Sequence, residues 1–323
     1  WIGSNTNYVV MLTGSLLIGL GLGFWPAVFA VILGNLLGCS VLGMSSIMGP
    51  RTGSSGILTS RTSFGQLGSY LPILISTISV LGWFSINSVV STMGLQEILV
   101  KTGIPDSLTL MWICLFIVLA GEIILAIYGH ATILKAEMWL AFLLGAVFII
   151  FFFFLLPHMD WSYTGSLVEG NGVTKWGTWL LGMGLVFSYP LSWTNFASDY
   201  SRYFEPDVDS KKVAFYAGAG QFTALTLTEF IGIIFGVVAT ITLGGIGDDP
   251  VSQVPQLLVL LLLYAGGSNR KYGYQCTERL YCRLVTAGST PTNYPGSGCI
   301  NHCSIHPDFP YCNPSLWSIF HPL

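Results

Sequence analysis

Residues 1–50 read WIGSNTNYVVMLTGSLLIGLGLGFWPAVFAVILGNLLGCSVLGMSSIMGP, and not one of them is Asp, Glu, Lys, Arg or His. A bilayer's hydrocarbon core is about 30 Å thick, so a helix needs about 20 apolar residues to cross it. This stretch is long enough for two crossings, at 2–22 and 25–47, joined at Phe24-Trp25-Pro26, an interfacial aromatic pair followed by a helix-starting proline. The same logic places five further spans at 69–96, 108–128, 138–157, 176–197 and 213–243, with most of the charge lying between them.

The whole chain agrees with its opening. Only 8% of its 323 residues are charged and 52% are hydrophobic, whereas about 25% of a soluble domain is charged. That composition excludes a soluble enzyme or a nucleic-acid binder and makes the lipid bilayer the principal surroundings. An amino-terminal signal peptide does not fit either, because no basic segment opens the chain and the apolar pattern recurs along it.

Lys and Arg give the orientation, since cytoplasmic loops carry their excess. Loops after spans two, four and six hold Arg51, Arg61, Lys135, Arg202, Lys211 and Lys212, while the alternate loops hold only Lys101 and Lys175. The first set is therefore expected in the cytoplasm together with the N-terminus.

Two spans carry polar clusters that a plain anchor would not tolerate. They are Gly3-Ser4-Asn5-Thr6-Asn7 in span one and Ser188-Tyr189-Pro190-Leu191-Ser192-Trp193-Thr194-Asn195 in span six. Pro190 lacks an N–H and crowds the preceding turn, so span six is expected to break or kink there. Interrupted helices five spans apart suit a transporter built of two inverted repeats, which binds its substrate where corresponding helices unwind. A channel or structural membrane protein, with Gly, Ser and Pro serving helix packing, is the alternative.

Span three adds Gly82-Trp83-Phe84-Ser85-Ile86-Asn87, in which Trp83 and Asn87 share a helix face. An indole at mid-depth is poorly explained as an interfacial anchor. With Trp193 as a second wall, two indoles would sandwich a flat heteroaromatic ring and the Asn87 carboxamide would read its polar edge, as a nucleobase requires. Packing is the competing role for both indoles.

Four segments, in order, resemble the nucleobase:cation symporters, and within them the purine-cytosine permease branch. They are Trp1–Asn5; Gly49-Pro50-Arg51-Thr52-Gly53 with Ser60-Arg61-Thr62-Ser63-Phe64-Gly65; the Gly-Trp-x-x-x-Asn of residues 82–87; and the run from Trp193 to Tyr203. The resemblance implies an all-α integral membrane protein with two inverted five-helix repeats plus two further helices. It also implies uptake of cytosine or purines with H⁺ or Na⁺ at the plasma membrane, with no enzymatic activity and no bound cofactor. Trp83, Asn87 and Trp193 would hold the base, Ser4 and Asn5 would add polar contacts, and Gly3 would lie among carbonyls suited to a cation. Asp199, near Arg202 and Tyr203, is expected either in an inner gate or in an ordinary ion pair at a helix end. Glu122 and Glu229 lie inside spans four and seven, as proton sites or as hydrogen-bonding groups between helices.

No metalloprotease motif, phosphate loop or hydrolytic triad is present, and Gly19-x-Gly21-x-Gly23 reads as helix packing. An eighth span starts near Val254 but its apolar pattern stops at Gly267. Residues 268–323 hold five of the seven cysteines, Cys276, Cys282, Cys299, Cys303 and Cys312, with His302 and His306. Their spacing suits neither a zinc site nor a disulfide framework. The expected organisation is thus a transmembrane domain over 1–267, with a first repeat at about 1–157 and the start of a second at 176–267, truncated after about seven complete helices. A Cys- and Pro-rich tail would follow, aberrant or disordered, as a shifted reading frame would produce. Such a chain would be a fragment, and a truncated product that does not transport is the alternative outcome.

Overall fold

In lipid, a lone apolar segment can satisfy its backbone N–H and C=O groups only as a helix, and the protein is built accordingly. A computed structural model describes residues 1–127, 130–167 and 173–244. The eighth span expected at 254–267 and the tail at 268–323 lie outside the described residues, as do all five tail cysteines.

In chain order the helices are α1 (Ile2–Asn5), α2 (Tyr8–Gly19), α3 (Phe24–Ser46), α4 (Met48–Thr52), α5 (Gly56–Gly68), α6 (Tyr70–Lys101), α7 (Leu108–Ile127), α8 (His130–Leu155), α9 (Lys175–Trp193), α10 (Ala197–Ser201) and α11 (Ser210–Leu243). Among the described residues, four helical stretches are long and apolar enough to cross a membrane by themselves: Phe24–Thr52, Tyr70–Val100, Lys135–His158 and Ser210–Leu243. The first and sixth spans are each made of two helical pieces. Outward faces of α6, α7 and α8 carry Leu81, Phe116, Phe142 and Ile150, all exposed and suited to lipid.

Span one breaks at Thr6-Asn7. Asn7 is extended, and its side chain serves both ends: its Oδ1 accepts from the Val10 amide at 3.0 Å to cap α2, and its Nδ2 donates to the Ser4 carbonyl at 3.0 Å. In span six the interruption is displaced from its expected place. Pro190 sits inside α9, which stays helical to Trp193, and the change of geometry is a short 3₁₀ turn over Thr194–Phe196 ahead of α10. The Pro190 ring packs on Gly38 of α3, where no side chain competes for the space. Span five also differs: α8 starts at His130, ahead of the expected 138, so Lys135 lies within the helix.

The tightest packing joins α2, α3, α9 and α11. A Cβ placed on Gly232 would run into the Met11 carbonyl, and one on Gly14 into the Glu229 carbonyl, so α2 and α11 meet backbone to backbone. Arg51 donates to the Ser210 hydroxyl at 3.2 Å, and Gly49 packs on Ser201, which brings the loops after spans two and six to one end. Gly3 packs on the Glu137 backbone near the start of α8 at that same end. The loops after spans one and five meet at the other end. There the Phe24 amide donates to the Tyr163 carbonyl at 2.9 Å, and Leu167 donates to the Gly21 carbonyl at 3.2 Å. In the same loop, hydrogen bonds from the Ser162 hydroxyl and amide hold the Asp160 carboxyl below its usual range.

Candidate functional site

A cavity of about 740 Å³ opens between α6, α9, α10 and the start of α5. Trp83 and Asn87 line it from α6 and Trp193 from the end of α9, so the three residues expected to hold a ring converge on one space. Tyr189 joins them, its ring 5.2 Å from that of Trp83 and inclined at 72°. The two indoles do not form a bare sandwich. Both lean on a cluster of Val10, Cys39, Tyr189 and Leu225, which forms a firm base under the aromatic lining. Trp193 is held on its other side by Trp1, edge-on at 6.1 Å and 88°.

Asn87 spends one amide hydrogen on the Trp83 carbonyl at 2.8 Å, one turn back. Its other N–H and its carbonyl oxygen remain for a ligand, and that donor–acceptor pair matches the amide or amidine edge of a heterocycle. Along α6 the next residue, Ser88, donates to Glu122 Oε2 on α7 at 2.8 Å. Glu122 thus bonds to a neighbouring helix, directly behind the residue that faces the cavity.

At the loop end, Asp199, Arg202, Tyr203, Ser55 and Ile57 complete the lining. Asp199 Oδ1 accepts from the Gly56 amide at 3.2 Å, at the first residue of α5. A carboxylate there satisfies an orphan donor and faces the positive end of the helix dipole. Asn195, in the 3₁₀ turn, donates to Ser76 of α6 at 3.1 Å, so the interruption in span six is tied to span three.

The first-helix residues sit elsewhere. Ser4 and Asn5 are not part of the cavity lining: Asn5 is fully buried and donates to the Trp1 carbonyl at 2.7 Å, and its Oδ1 is buried without a partner among the described residues. Gly3 is a packing contact with α8. Glu229 is fully buried on α11 and accepts from Asn35 Nδ2 of α3 at 2.6 Å. Tyr189 and Asn35 were not singled out from the sequence. A tyrosine one residue before a mid-span proline, and a lone asparagine in the second span, are the signals that carried them.

A family profile described as permease for cytosine/purines, uracil, thiamine, allantoin matches residues 1–267. The Bacillus subtilis (strain 168) purine-cytosine permease candidate YxlA is 25% identical over 80% of this chain and 53% of its own length. The vitamin B6 transporter TPN1 of Saccharomyces cerevisiae is 27% identical over 71% of this chain and 38% of its own. Purine-cytosine permease FCY21 of the same yeast is 25% identical over 70% and 40%. The chain spans about half the length, or less, of these curated relatives. In fold it is similar to Mhp1, a nucleobase-cation-symport-1 family transporter solved in a closed conformation with bromovinylhydantoin bound. The TM-score is 0.62 at 17% identity, over 86% of this chain and 59% of that one. The protein is thus a multi-pass membrane protein, and it belongs to the family of permeases for cytosine/purines, uracil, thiamine and allantoin, whose members are transporters and not enzymes.

Proposed function

We propose that this chain is the substrate-binding part of a secondary active transporter that imports cytosine or a purine, coupled to H⁺ or Na⁺ by alternating access. The observation that carries the reading is the convergence of Trp83, Asn87, Tyr189 and Trp193 on one cavity. Aromatic faces hold any flat ring by stacking, and the Asn87 amide selects rings with a paired donor and acceptor on one edge. Other branches of the family tend to carry glutamine at the Asn87 position, and that resemblance favours a nucleobase over a hydantoin or allantoin.

Orientation follows from the charges. The end at which α1, α4, α5 and α10 gather carries Arg51, Arg61 and Arg202 and faces the cytoplasm of a plasma-membrane protein. Asp199 of α10 then forms part of an inner gate, because its hydrogen bond to the first amide of α5 ties the lining of the cavity to the segment after span two. Ser4, Asn5 and Gly3 at the first break supply polar groups on the far side of Trp193.

The test is uptake of radiolabelled cytosine by vesicles containing the protein. Saturable uptake that unlabelled adenine competes and ribose does not supports the reading. Flux that rises linearly with concentration points to a channel, and no uptake or binding of cytosine overturns it.

A further inference from the structure

Glu229 presents a second, separate problem. Its carboxylate is fully buried at the contact of α11 with α3, a position that in this fold lies within the apolar part of the molecule. One oxygen, Oε2, accepts from Asn35 Nδ2 at 2.6 Å; the other, Oε1, has no partner among the described residues. Asn35 Nδ2 also approaches Thr226 Oγ1 at 3.3 Å, and Asn35 Oδ1 is buried with no donor. Two buried acceptor oxygens on bonded side chains therefore lack a donor, and a buried ionised carboxylate without a cation is strongly disfavoured.

Among the described residues no counter-charge adjoins the pair. Within electrostatic reach are Cys39 of α3 and Tyr189 of α9, neither of which is cationic. Of the other helices packed on α11, α1 carries no titratable residue and α2 has only Tyr8, at its start; the amine of Trp1, just ahead of α1, belongs to a residue that packs at Gly220, nine residues or about 14 Å before Glu229 along α11. On α8, Phe152 meets Phe230 at 6.4 Å, and Lys135 and Glu137 lie more than four turns before that contact, over 20 Å along the axis. Lys211 and Lys212 stand at the far end of α11, about 25 Å from Glu229. A metal cation is also poorly served, since the Asn35 N–H points at the carboxylate where the cation would bind. A proton fits: it removes the charge and turns Oε1 into a donor.

The pair also adjoins the candidate site. One turn from Asn35 on α3 is Cys39, and one turn from Glu229 on α11 is Leu225; both belong to the cluster on which Trp83 and Trp193 rest. We propose that Glu229, held by Asn35, takes up and releases the coupling proton, which makes the driving ion H⁺ rather than Na⁺. The carboxylate binds one proton from the outer side and gives the same proton to the inner side in each cycle, with no other bond made or broken. The proposal rests on the transporter reading of the Trp83–Trp193 cavity.

The experiment uses the full chain in proteoliposomes with a pH-sensitive dye inside. A gradient of one pH unit, acid outside, supports about tenfold cytosine accumulation at one proton per substrate. Expected for Glu229→Gln is an accumulation ratio near one and no dye response, with exchange of labelled for unlabelled cytosine preserved. Glu229→Asp keeps gradient-driven accumulation with a displaced pH midpoint. In the unaltered protein, an infrared carbonyl band of a protonated carboxylic acid disappears on Glu229→Gln substitution, a readout that needs no transport. Gradient-driven accumulation by Glu229→Gln, the absence of that infrared band, or a requirement for Na⁺ in the unaltered protein overturns the proposal. Failure of the unaltered protein to exchange cytosine, by contrast, overturns the transporter reading itself.

Discussion

Replacing Trp83 by alanine separates a binding wall from a packing residue. The indole is half-buried on α6, edge-on to Tyr189 at 5.2 Å, and rests on Val10, Cys39 and Leu225. Its removal has two distinct costs. A base stacked on an aromatic side chain gains about 1–3 kcal/mol, so the affinity for cytosine should fall by about 5- to 150-fold. Loss of the edge-to-face pair with Tyr189 costs about 0.5–1.5 kcal/mol, felt by the empty protein as lowered stability. Trp83→Phe restores an aromatic edge for Tyr189 and part of the stacking face, so it should recover most of the stability and only some of the affinity. Equilibrium binding of radiolabelled cytosine to purified protein, alongside thermal unfolding without ligand, measures the two terms independently. Adenine should lose affinity in parallel, because a stacking face does not read the ring's edge. If Trp83→Ala lowers stability while both bases bind as before, the indole is packing and the cavity assignment is wrong.

Asn87→Ala should weaken cytosine by about 1–2 kcal/mol, or about 5- to 30-fold, but leave binding of a flat ring without a donor–acceptor edge unchanged; equal loss for both ligands would remove Asn87 as the reader. Gly232→Ala forces a methyl against the Met11 carbonyl and should cost about 1–3 kcal/mol in thermal unfolding, whereas Gly184→Ala meets nothing within 4 Å and should be neutral or better. Asp199→Ala removes the acceptor at the Gly56 amide and should loosen α5 by about 0.3–1 kcal/mol, seen as faster trypsin cleavage at Arg61; an unchanged cleavage rate would dissociate Asp199 from α5. A cysteine at Ser162 should be labelled by a membrane-impermeant maleimide from outside intact cells, and labelling only after permeabilisation would invert the orientation.

The spans were legible because length and charge decide them locally. From Trp1 to Pro50 no alternative to two buried helices exists, and α3 runs within a residue of the expected bounds. Trp83, Asn87 and Trp193 could be singled out because aromatic and amide side chains at mid-span are costly to place without a use. Tertiary contacts were harder to read. Pro190 carries a local signal to break a helix, but α9 continues through it with the ring packed on Gly38, 152 positions earlier, and the turn falls at Thr194 instead. Glu229 was visible as an ionisable residue in a span, yet its partner Asn35 could not be paired with it, since nothing in either segment specifies that α3 and α11 touch. Ser4 and Asn5 were visible as polar residues at a helix break, but that the Asn5 amide binds the Trp1 carbonyl was not legible, since the sequence does not fix how α1 closes.

The backbone contact of α2 with α11 has a bearing on how the chain is made. A ribosome delivers α2 and α3 to the membrane long before α11, and Asn35 is 194 positions ahead of the glutamate it binds. The close-fitting face of Gly14, and the amide of Asn35, must therefore wait in lipid or against a membrane chaperone while four intervening spans are inserted. Apolar character all around α3 permits that wait, since it is long enough to cross the bilayer alone and α2 can lean on it. Assembly then becomes a late event triggered by one arrival, and a lesion in α11 should strand the earlier helices as stable but unassembled spans, open to quality-control proteolysis.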